Sequence, residues 1–533
     1  MDSLTECIKK SNSEEILNSK NPQKTMFSIV NKNSSYKKQK NTKIEELYTN
    51  VNNKEKTKDP KKIVNTLNIN YVDIPKQIHN NLSLKDQQTK EFKYIEQIQR
   101  NLFNLLFFSP VTEDEVCNII NNMSNSTAND INYMNPKLAK NFAKELSVPL
   151  AYLINNSFET GHFPDLLKIA KIMPIFKQGD KLDPNNYRPI AILPLFSKIY
   201  ERAIYNRLVQ FFHDFSLFNK SQHGFRKNKS TTSGIFEIVE NILKNLDDHE
   251  KVFGLFLDLS KAFDCVDHSI LLKKLETYGI RGQAWKLLQS YLTNRYQYVE
   301  LCNSTGIYKS KELHNDIGIP QGSILGPLLF IIYVNDFVIL HDDIFTTQYA
   351  DDTSLTVKNK NIDHLADVTS DLLNEVDLWC IQNRLKLNSG KTQLINFQLK
   401  NLNNQNNPTV MCEDTELLFT NSAKVLGVYI DKAIKWEVNV FELCKKLSKA
   451  LFVIRTFKHL IHLDALKYCY FAYFHSLLMY GLEIWGHAPK YLFQKVFIIQ
   501  KAAIRILSNA HYRDSCRELN LFETQNILPL PAL

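Results

Sequence analysis

Three aspartates carry the chemistry this sequence is equipped for. Asp258 follows the apolar run Val252-Phe253-Gly254-Leu255-Phe256-Leu257, and Asp351 and Asp352 stand side by side in Gln348-Tyr349-Ala350-Asp351-Asp352-Thr353. The apolar run reads as a short buried strand that delivers a carboxylate at its C-terminal end. Two β-prone runs flanking Ala-Asp-Asp read as a hairpin with acids at its tip. If the two strands are neighbours, three carboxylates converge. Carboxylates crowded in this way repel unless a cation sits among them. Hard oxygen ligands suit Mg²⁺, which binds through one or two carboxylates, water and substrate phosphate. Two such ions about 3.5–4 Å apart activate an attacking hydroxyl and stabilise the leaving oxygen of a phosphoryl centre. The chemistry expected is nucleotidyl transfer by positioning and charge.

Each piece alone says little. One Asp at a strand end is ordinarily a solvated loop acid, and His341-Asp342-Asp343, just upstream, reads as a polar loop. Between the acids lies Gly318-Ile319-Pro320-Gln321-Gly322-Ser323-Ile324-Leu325-Gly326-Pro327, where two glycines flank a turn and permit close approach of a ligand to the backbone. FLDLSKAFD, then GIPQGSILGPLLF, then QYADD, in that order, is a combination chance does not readily produce.

The elements that must hold these residues are legible in outline. Thr112 before Glu113 and Glu115 starts a helix with Val116, Ile119 and Ile120 as its buried face. Residues 148–158 read as an apolar helix with Ser147 as N-cap and Pro149 in its first turn. GHFPDLLKIAKIMPIFKQGD reads as a helix leading into a strand, and residues 197–212 as an amphipathic helix. After the first acid come helices over 269–278, closed by Gly279, and 283–292; residues 328–334 form an apolar helix behind the glycine turn. Leu443, Leu447, Leu451 and Ile454 recur at helical spacing beside Lys445, Lys446, Lys449, Arg455 and Lys458, a core face and a basic face on one helix.

Composition narrows the class. The chain has 533 residues, 44% hydrophobic and 23% charged, with a formal net charge of +9; this is ordinary globular texture, and excludes collagen, coiled coil and wholesale disorder. The longest apolar run, residues 327–334, is far short of the roughly 18 residues of a membrane span, and the N-terminus lacks the apolar core of a secretory signal, so an intracellular, soluble chain is expected. The nine cysteines have no zinc-site spacing and no disulfide-framework pattern. The first hundred residues hold 19 Lys and Arg against 12 Asp and Glu. They are Asn- and Lys-rich, with little apolar periodicity before Phe92, and read as a solvated, partly helical, linker-like lead segment. Its basic clusters, at residues 37–40 and 58–62, suit nucleic acid or an import signal.

The motifs resemble those of the reverse transcriptases of non-LTR (LINE-like) retrotransposons, most closely the jockey-like group. FLDLSKAFDCVDH, GIPQGSILGPLLF and YADD resemble the three palm motifs, and residues 378–392 and the Lys424-Val425-Leu426-Gly427-Val428 stretch resemble the two that follow. FPDLLKIAKIMPIFKQGD, NYRPIAILPLFSKIYER and QHGFRKNKST resemble the finger motifs, and Tyr480-Gly481-Leu482-Glu483-Ile484-Trp485-Gly486 the region beyond the thumb. The resemblance implies an α+β right hand, with fingers, a palm of antiparallel sheet plus helices, and a helical thumb. The expected divisions are a lead segment over 1–105, fingers and palm over 106–432, and thumb with a C-terminal helical region over 433–533.

By motif position the resemblance implies that Asp258, Asp351 and Asp352 are catalytic and hold two Mg²⁺ ions, with Mn²⁺ as the alternative. Arg188 and Lys177 would grip the incoming triphosphate, a guanidinium suiting phosphate well. Gln321, Gly322 and Tyr349 would line the nucleotide pocket, Lys391 is a candidate general acid for the leaving pyrophosphate, and Leu426 and Gly427 would form the primer grip. Phe263, five residues after Asp258, resembles a steric gate against a ribose 2′-hydroxyl; Asp264 falls one residue too late to accept that hydroxyl. The function implied is RNA-directed DNA polymerisation, with an RNA template, a DNA primer and dNTPs as partners and no membrane. A catalytically inactive truncated relic, or an RNA-binding module with the polymerase fold, is the alternative. No nuclease motif precedes the lead segment and the chain stops at LPLPAL, so a truncated copy lacking the endonuclease is expected. Residues 125–130 depart from the Lys- and Gly-containing stretch of relatives, which argues against a template contact there. Action in the nucleus follows from the family's use of chromosomal DNA, with the cytoplasm as the alternative.

Overall fold

Four short runs of β-branched and aromatic residues build the sheet at the centre of the molecule. In the computed structural model, which describes residues 2–19, 24–26, 28–29, 44–50, 53–86, 105–303, 306–337, 341–399, 408–412 and 415–533, their order is Gln393–Phe397, Lys251–Leu257, Asp352–Asn359 and Ile344–Tyr349, all antiparallel. Val252, Phe253 and Leu255 are fully buried, as expected of a central strand whose residues are apolar in succession. The helices His268–Thr277, Leu325–Tyr333 and Ile362–Gln382 share one hydrophobic core with this sheet. All nine residues of Leu325–Tyr333 bar Pro327 are buried, and the helix is accordingly apolar on every side.

A second sheet lies to one side. Tyr187–Ile192 pairs antiparallel with Ile169–Phe176, which runs parallel to Tyr296–Asn303; Gly306–Lys309 and Leu313–His314 complete it. The result is the mixed α+β class expected from the motifs, with palm and finger sheets distinct. From Glu437 onward the described chain is helical, with Glu437–Phe457 packed on Lys490–Leu507 and Leu443, Leu447 and Ile454 buried. The basic residues of the first of these helices point away from that core: Lys445, Lys446 and Lys449 are all exposed. No helix among the described residues is long and apolar enough to cross a membrane.

Two acids tie the helices together through helix N-termini, where unpaired backbone N–H groups favour negative charge. Asp130 accepts from the backbone N–H of Leu195 at 2.7 Å, at the start of helix Leu195–Asp214. Glu201 in that helix is fully buried and accepts from the N–H groups of Ile324 (2.5 Å) and Leu325 (3.2 Å), at the start of Leu325–Tyr333. The acid of the divergent 125–130 stretch is thus employed in capping.

Two expectations need correction. The helix expected over 148–158 spans Ala143–Thr160, so Pro149 lies inside it and Ser147 is no N-cap; its hydroxyl donates to the Lys144 carbonyl at 2.7 Å. Its C-terminus does close on a glycine, Gly161 at φ +71°. The lead segment, read as solvated, contains Pro60–Asp86, a helix that buries Ile63, Val64, Leu67, Tyr71 and Val72 against the finger sheet and the palm. Its apolar stripe was hidden among Asn and Lys. Lys58, Lys61 and Lys62 stay exposed around its first turn; the cluster at 37–40 and Phe92 lie outside the described residues. Further upstream, helix Asp2–Leu17 packs on Leu463–Cys469, with Ser13 accepting from the His462 N–H at 2.8 Å.

The palm helices meet at one buried cation. Lys274 Nζ, 1% exposed, donates to the Tyr333 carbonyl (2.6 Å), Asp336 Oδ1 (2.7 Å) and Asn383 Oδ1 (2.5 Å). Burial holds its pKa below the ordinary lysine value, while the paired Asp336 favours the charge. Removing one partner of such a pair strands the other in the core. Lys274→Ala is therefore expected to destabilise the chain by roughly 3–5 kcal/mol, read as a lowered urea midpoint, with Lys274→Met plus Asp336→Asn recovering part of the loss.

Candidate active site

The strand register decides where the acids go. Leu257 pairs with Thr353 in one ladder, and Tyr349 with Asp352 in the other. Asp258 therefore leaves the end of its strand beside the hairpin turn that carries Asp351 and Asp352. Ala350, in that turn, has φ +58°, the left-handed conformation that L-residues adopt at a cost. It is held there from outside the hairpin. Gln222 Oε1 accepts from the N–H groups of Ala350 (2.9 Å) and Gly224 (2.7 Å), and backbone bonds join His223 N–H to the Gln348 carbonyl (2.7 Å) and Gln348 N–H to the Ser221 carbonyl (2.9 Å). A Cβ on Gly224 would stand 2.4 Å from the Ala350 nitrogen. Gln222 is a positioning residue that the motif reading did not single out; its place in the QHGFRKNKST stretch was the one signal that could have pointed to it.

Asp258 is held by residues of a later segment. Asn388 donates from its backbone N–H to the Asp258 carbonyl (2.8 Å) and from its amide to Oδ2 (3.2 Å), and Lys391 Nζ lies 3.8 Å from the same oxygen, exposed. Partial withdrawal from water raises the pKa of Asp351, Asp258 raises it further, and Arg188 and Lys177 pull it back. Asp352 is pushed up to about 6 by withdrawal from water, then by the Asp351 and Asp258 charges. The acids thus form a group of negative charge that the nearby cations compensate only in part, the kind that takes a hard cation. Among the described residues no three His, Cys, Asp or Glu side chains close around a point that could hold a metal. An ion completed by water and substrate phosphate needs no such finished cage.

A cleft of about 630 Å³ opens at two of these acids, lined by Asp258, Asp351, Lys177, Arg188, Phe263, Gln321, Gly322 and Lys391, while Asp352 stands exposed outside the lining. Arg188 projects, exposed, from strand Tyr187–Ile192, and Lys177 donates from its backbone to the Asn186 carbonyl at 2.9 Å. The 191 N–H donates to the Gln321 carbonyl at 2.7 Å, and a Cβ on Gly322, at φ +129°, would meet the Ala191 carbonyl oxygen at 2.4 Å, so only glycine lets the turn lie this close to the finger strand. Phe263 stacks on Phe330 with ring centroids 4.2 Å apart. Asp264 is engaged elsewhere: its Oδ1 accepts from Gln321 Nε2 at 2.7 Å.

Not every expected residue reaches this cleft. Tyr349 stands on the hairpin, half-buried, outside the lining. Leu426 and Gly427 form the turn of a separate hairpin, Ser422–Val425 with Val428–Asp431, both at positive φ (46° and 94°). Tyr480 braces that turn, donating its hydroxyl to the Leu426 carbonyl.

The charge crowding has a measurable sign. A carboxyl whose folded pKa is raised makes the folded state progressively less favourable as pH rises from the unfolded value, near 4, through the folded one, near 6 for Asp352. In divalent-free buffer, Asp352→Asn should therefore raise Tm at pH 7.5, by roughly 1–3 °C. The difference should vanish at pH 4, and Mg²⁺ should stabilise the wild type more than the variant at pH 7.5.

Comparisons with known proteins agree with this geometry. The family profile "Reverse transcriptase (RNA-dependent DNA polymerase)" matches residues 175–430, the segment that contains the cleft acids and all the finger strands but the first. In Drosophila melanogaster, the probable RNA-directed DNA polymerase from transposon BS is 27% identical over 440 residues, 79% of this chain and 48% of that protein. Its X-element counterpart is 28% identical over 80% of this chain and 47% of that protein, and the RNA-directed DNA polymerase from mobile element jockey is 26% identical over the same shares. The chain spans about half the length of these curated relatives. Residues 175–430 thus carry a reverse transcriptase domain, and the chain is similar over about 80% of its length to the polymerases of the BS, X-element and jockey transposons.

Proposed function

We propose that this chain is an RNA-directed DNA polymerase that extends a DNA primer along an RNA template with dNTPs. The observation that carries the reading is the register of Lys251–Leu257 against the Ile344–Asn359 hairpin, which brings Asp258 and Asp351 to a cleft that also holds Arg188, Lys177 and Gln321, with Asp352 next in the chain. Relatives named as RNA-directed DNA polymerases, from transposons, support the same reaction.

In this reading Asp258, Asp351 and Asp352 hold two Mg²⁺ ions, with Mn²⁺ as a substitute. Bound there, the ions would activate the primer 3′-hydroxyl and stabilise the leaving pyrophosphate. The chain's own residues do the rest. Arg188 and Lys177 bind the triphosphate by charge. Gln321, fixed by its bond to Asp264, and Gly322 shape the wall against which the base pair forms. Phe263, locked by its stacking on Phe330, excludes a 2′-hydroxyl. Lys391 gives a proton at the departing pyrophosphate oxygen. The turn Leu426–Gly427 supports the primer strand, and the exposed lysines of Glu437–Phe457 contact phosphates, which makes binding salt-dependent.

On poly(rA)/oligo(dT) with Mg²⁺, wild-type chain should incorporate dTTP, and Asp351→Asn with Asp352→Asn should lose at least on the order of a hundredfold. Absence of incorporation by a folded, monodisperse wild-type sample would favour an inactive relic. Phe263→Val, which hollows the gate, should lower the dTTP-over-UTP preference in kcat/KM by roughly 10- to 100-fold, the range one contact of this size can supply.

A further inference from the structure

The helix Pro60–Asp86 lies outside the segment matched by the family profile, yet it touches the nucleotide cleft. Its residues 67, 71, 74 and 78 recur at helical spacing. Leu67 and Tyr71 are buried against the finger sheet, and Ile74 and Ile78, one turn apart and half-buried, line the cleft opposite Asp258 and Phe263. The helix is pinned at both ends of this stripe. Asn68 donates to the carbonyls of Gln297 (3.3 Å) and Lys311 (2.9 Å) and accepts from Gln297 Nε2 (3.0 Å), which fastens it to a finger strand. His79, 8% exposed, sits at the other end, with its Nε2 2.8 Å from the Cys265 carbonyl.

That carbonyl belongs to the segment that carries Phe263. Residues 258–267 leave the central strand, pass Lys261 at φ +50° and form the tight turn Ala262–Cys265. On one side the turn is tied to the glycine-rich loop: the Phe263 carbonyl accepts from Ile319 N–H (2.9 Å) and the Val266 carbonyl from Gly318 N–H (2.8 Å). His79 supplies a tie on the other side, and Arg384 in turn donates to the His79 carbonyl at 3.4 Å. A buried carbonyl that lost its partner would seek another by moving.

We propose that helix Pro60–Asp86 is the outer wall of the nucleotide pocket and that His79, through Cys265, is a positioning residue that sets where Phe263 stands and so how strictly the pocket selects the sugar. This rests on the polymerase reading for its kinetic consequence and on the contacts alone for its structural one. The link is from finger strand through helix to gate, so a shift of the finger sheet is carried to the gate residue.

The test compares the full-length chain with His79→Ala, His79→Gln, whose amide can still donate to the carbonyl, and Ile78→Ala, which leaves that bond intact and only widens the wall. Amide hydrogen exchange over residues 261–267 is measured beside the dTTP and UTP kinetics. His79→Ala should exchange faster in that segment and lose about tenfold in dTTP-over-UTP preference, mainly through a raised dTTP KM; His79→Gln should restore both. A folded His79→Ala with unchanged exchange and unchanged preference overturns the proposal. Should that variant not fold, Ile78→Ala decides, an unchanged dTTP KM overturning the wall and a raised one supporting it. If the wild type incorporates nothing, the polymerase reading fails on that count, and the exchange data still judge the His79 contact.

Discussion

The antiparallel ladder that sets Leu257 opposite Thr353 places the residue leaving one strand beside the residue entering the other, near enough that the Asp258 charge raises the pKa of Asp351 and Asp352. Like charges repel, by roughly 4 kcal/mol at 4 Å and a surface-like dielectric. Side chains alone would turn apart. Seven consecutive backbone pairs, a third strand on the far side of Lys251–Leu257 and the Ile344–Tyr349 arm of the hairpin hold them together instead. Because side chains alternate across a sheet, a slip of one residue would send Asp352 to the opposite face. The register is therefore the constraint that the cleft, its cations and its gate are arranged around.

Much of this was readable in the residues because strands, hairpin and helix caps are local patterns. The buried run before Asp258, the acids at a hairpin tip, and Thr112 as an N-cap with Val116, Ile119 and Ile120 beneath it all follow from spacing within a dozen residues. What stayed hidden were bonds between distant parts of the chain. Gln222 meets Ala350 across 128 positions, His79 meets Cys265 across 186, and Lys274 meets Asn383 across 109. No periodicity announces such pairs. The helix Pro60–Asp86 was missed for a different reason: polar and basic residues outnumber its apolar stripe, so composition spoke for solvent where geometry required burial.

Buried charge has a consistent use in this fold. Asp130, Glu201 and Lys274 each satisfy backbone groups that a helix end or a loop leaves exposed, and they do so in series, from the finger helix Leu195–Asp214 to Leu325–Tyr333 and on to Ile362–Gln382. Each of these polar groups is costly to bury, and each is tolerable only while its partners are in place. Such contacts add specificity of placement where apolar packing alone would allow helices to slide.

Gly224 does not line the cleft, yet a methyl group there would collide with the backbone of Ala350 beside Asp351. In the polymerase reading proposed above, a substitution at such a position would silence a gene copy as loss of Asp351 would. The mutational target for inactivation is accordingly wider than the motif, and a copy with every aspartate intact can already be dead through a residue that no inspection of its acids would reveal.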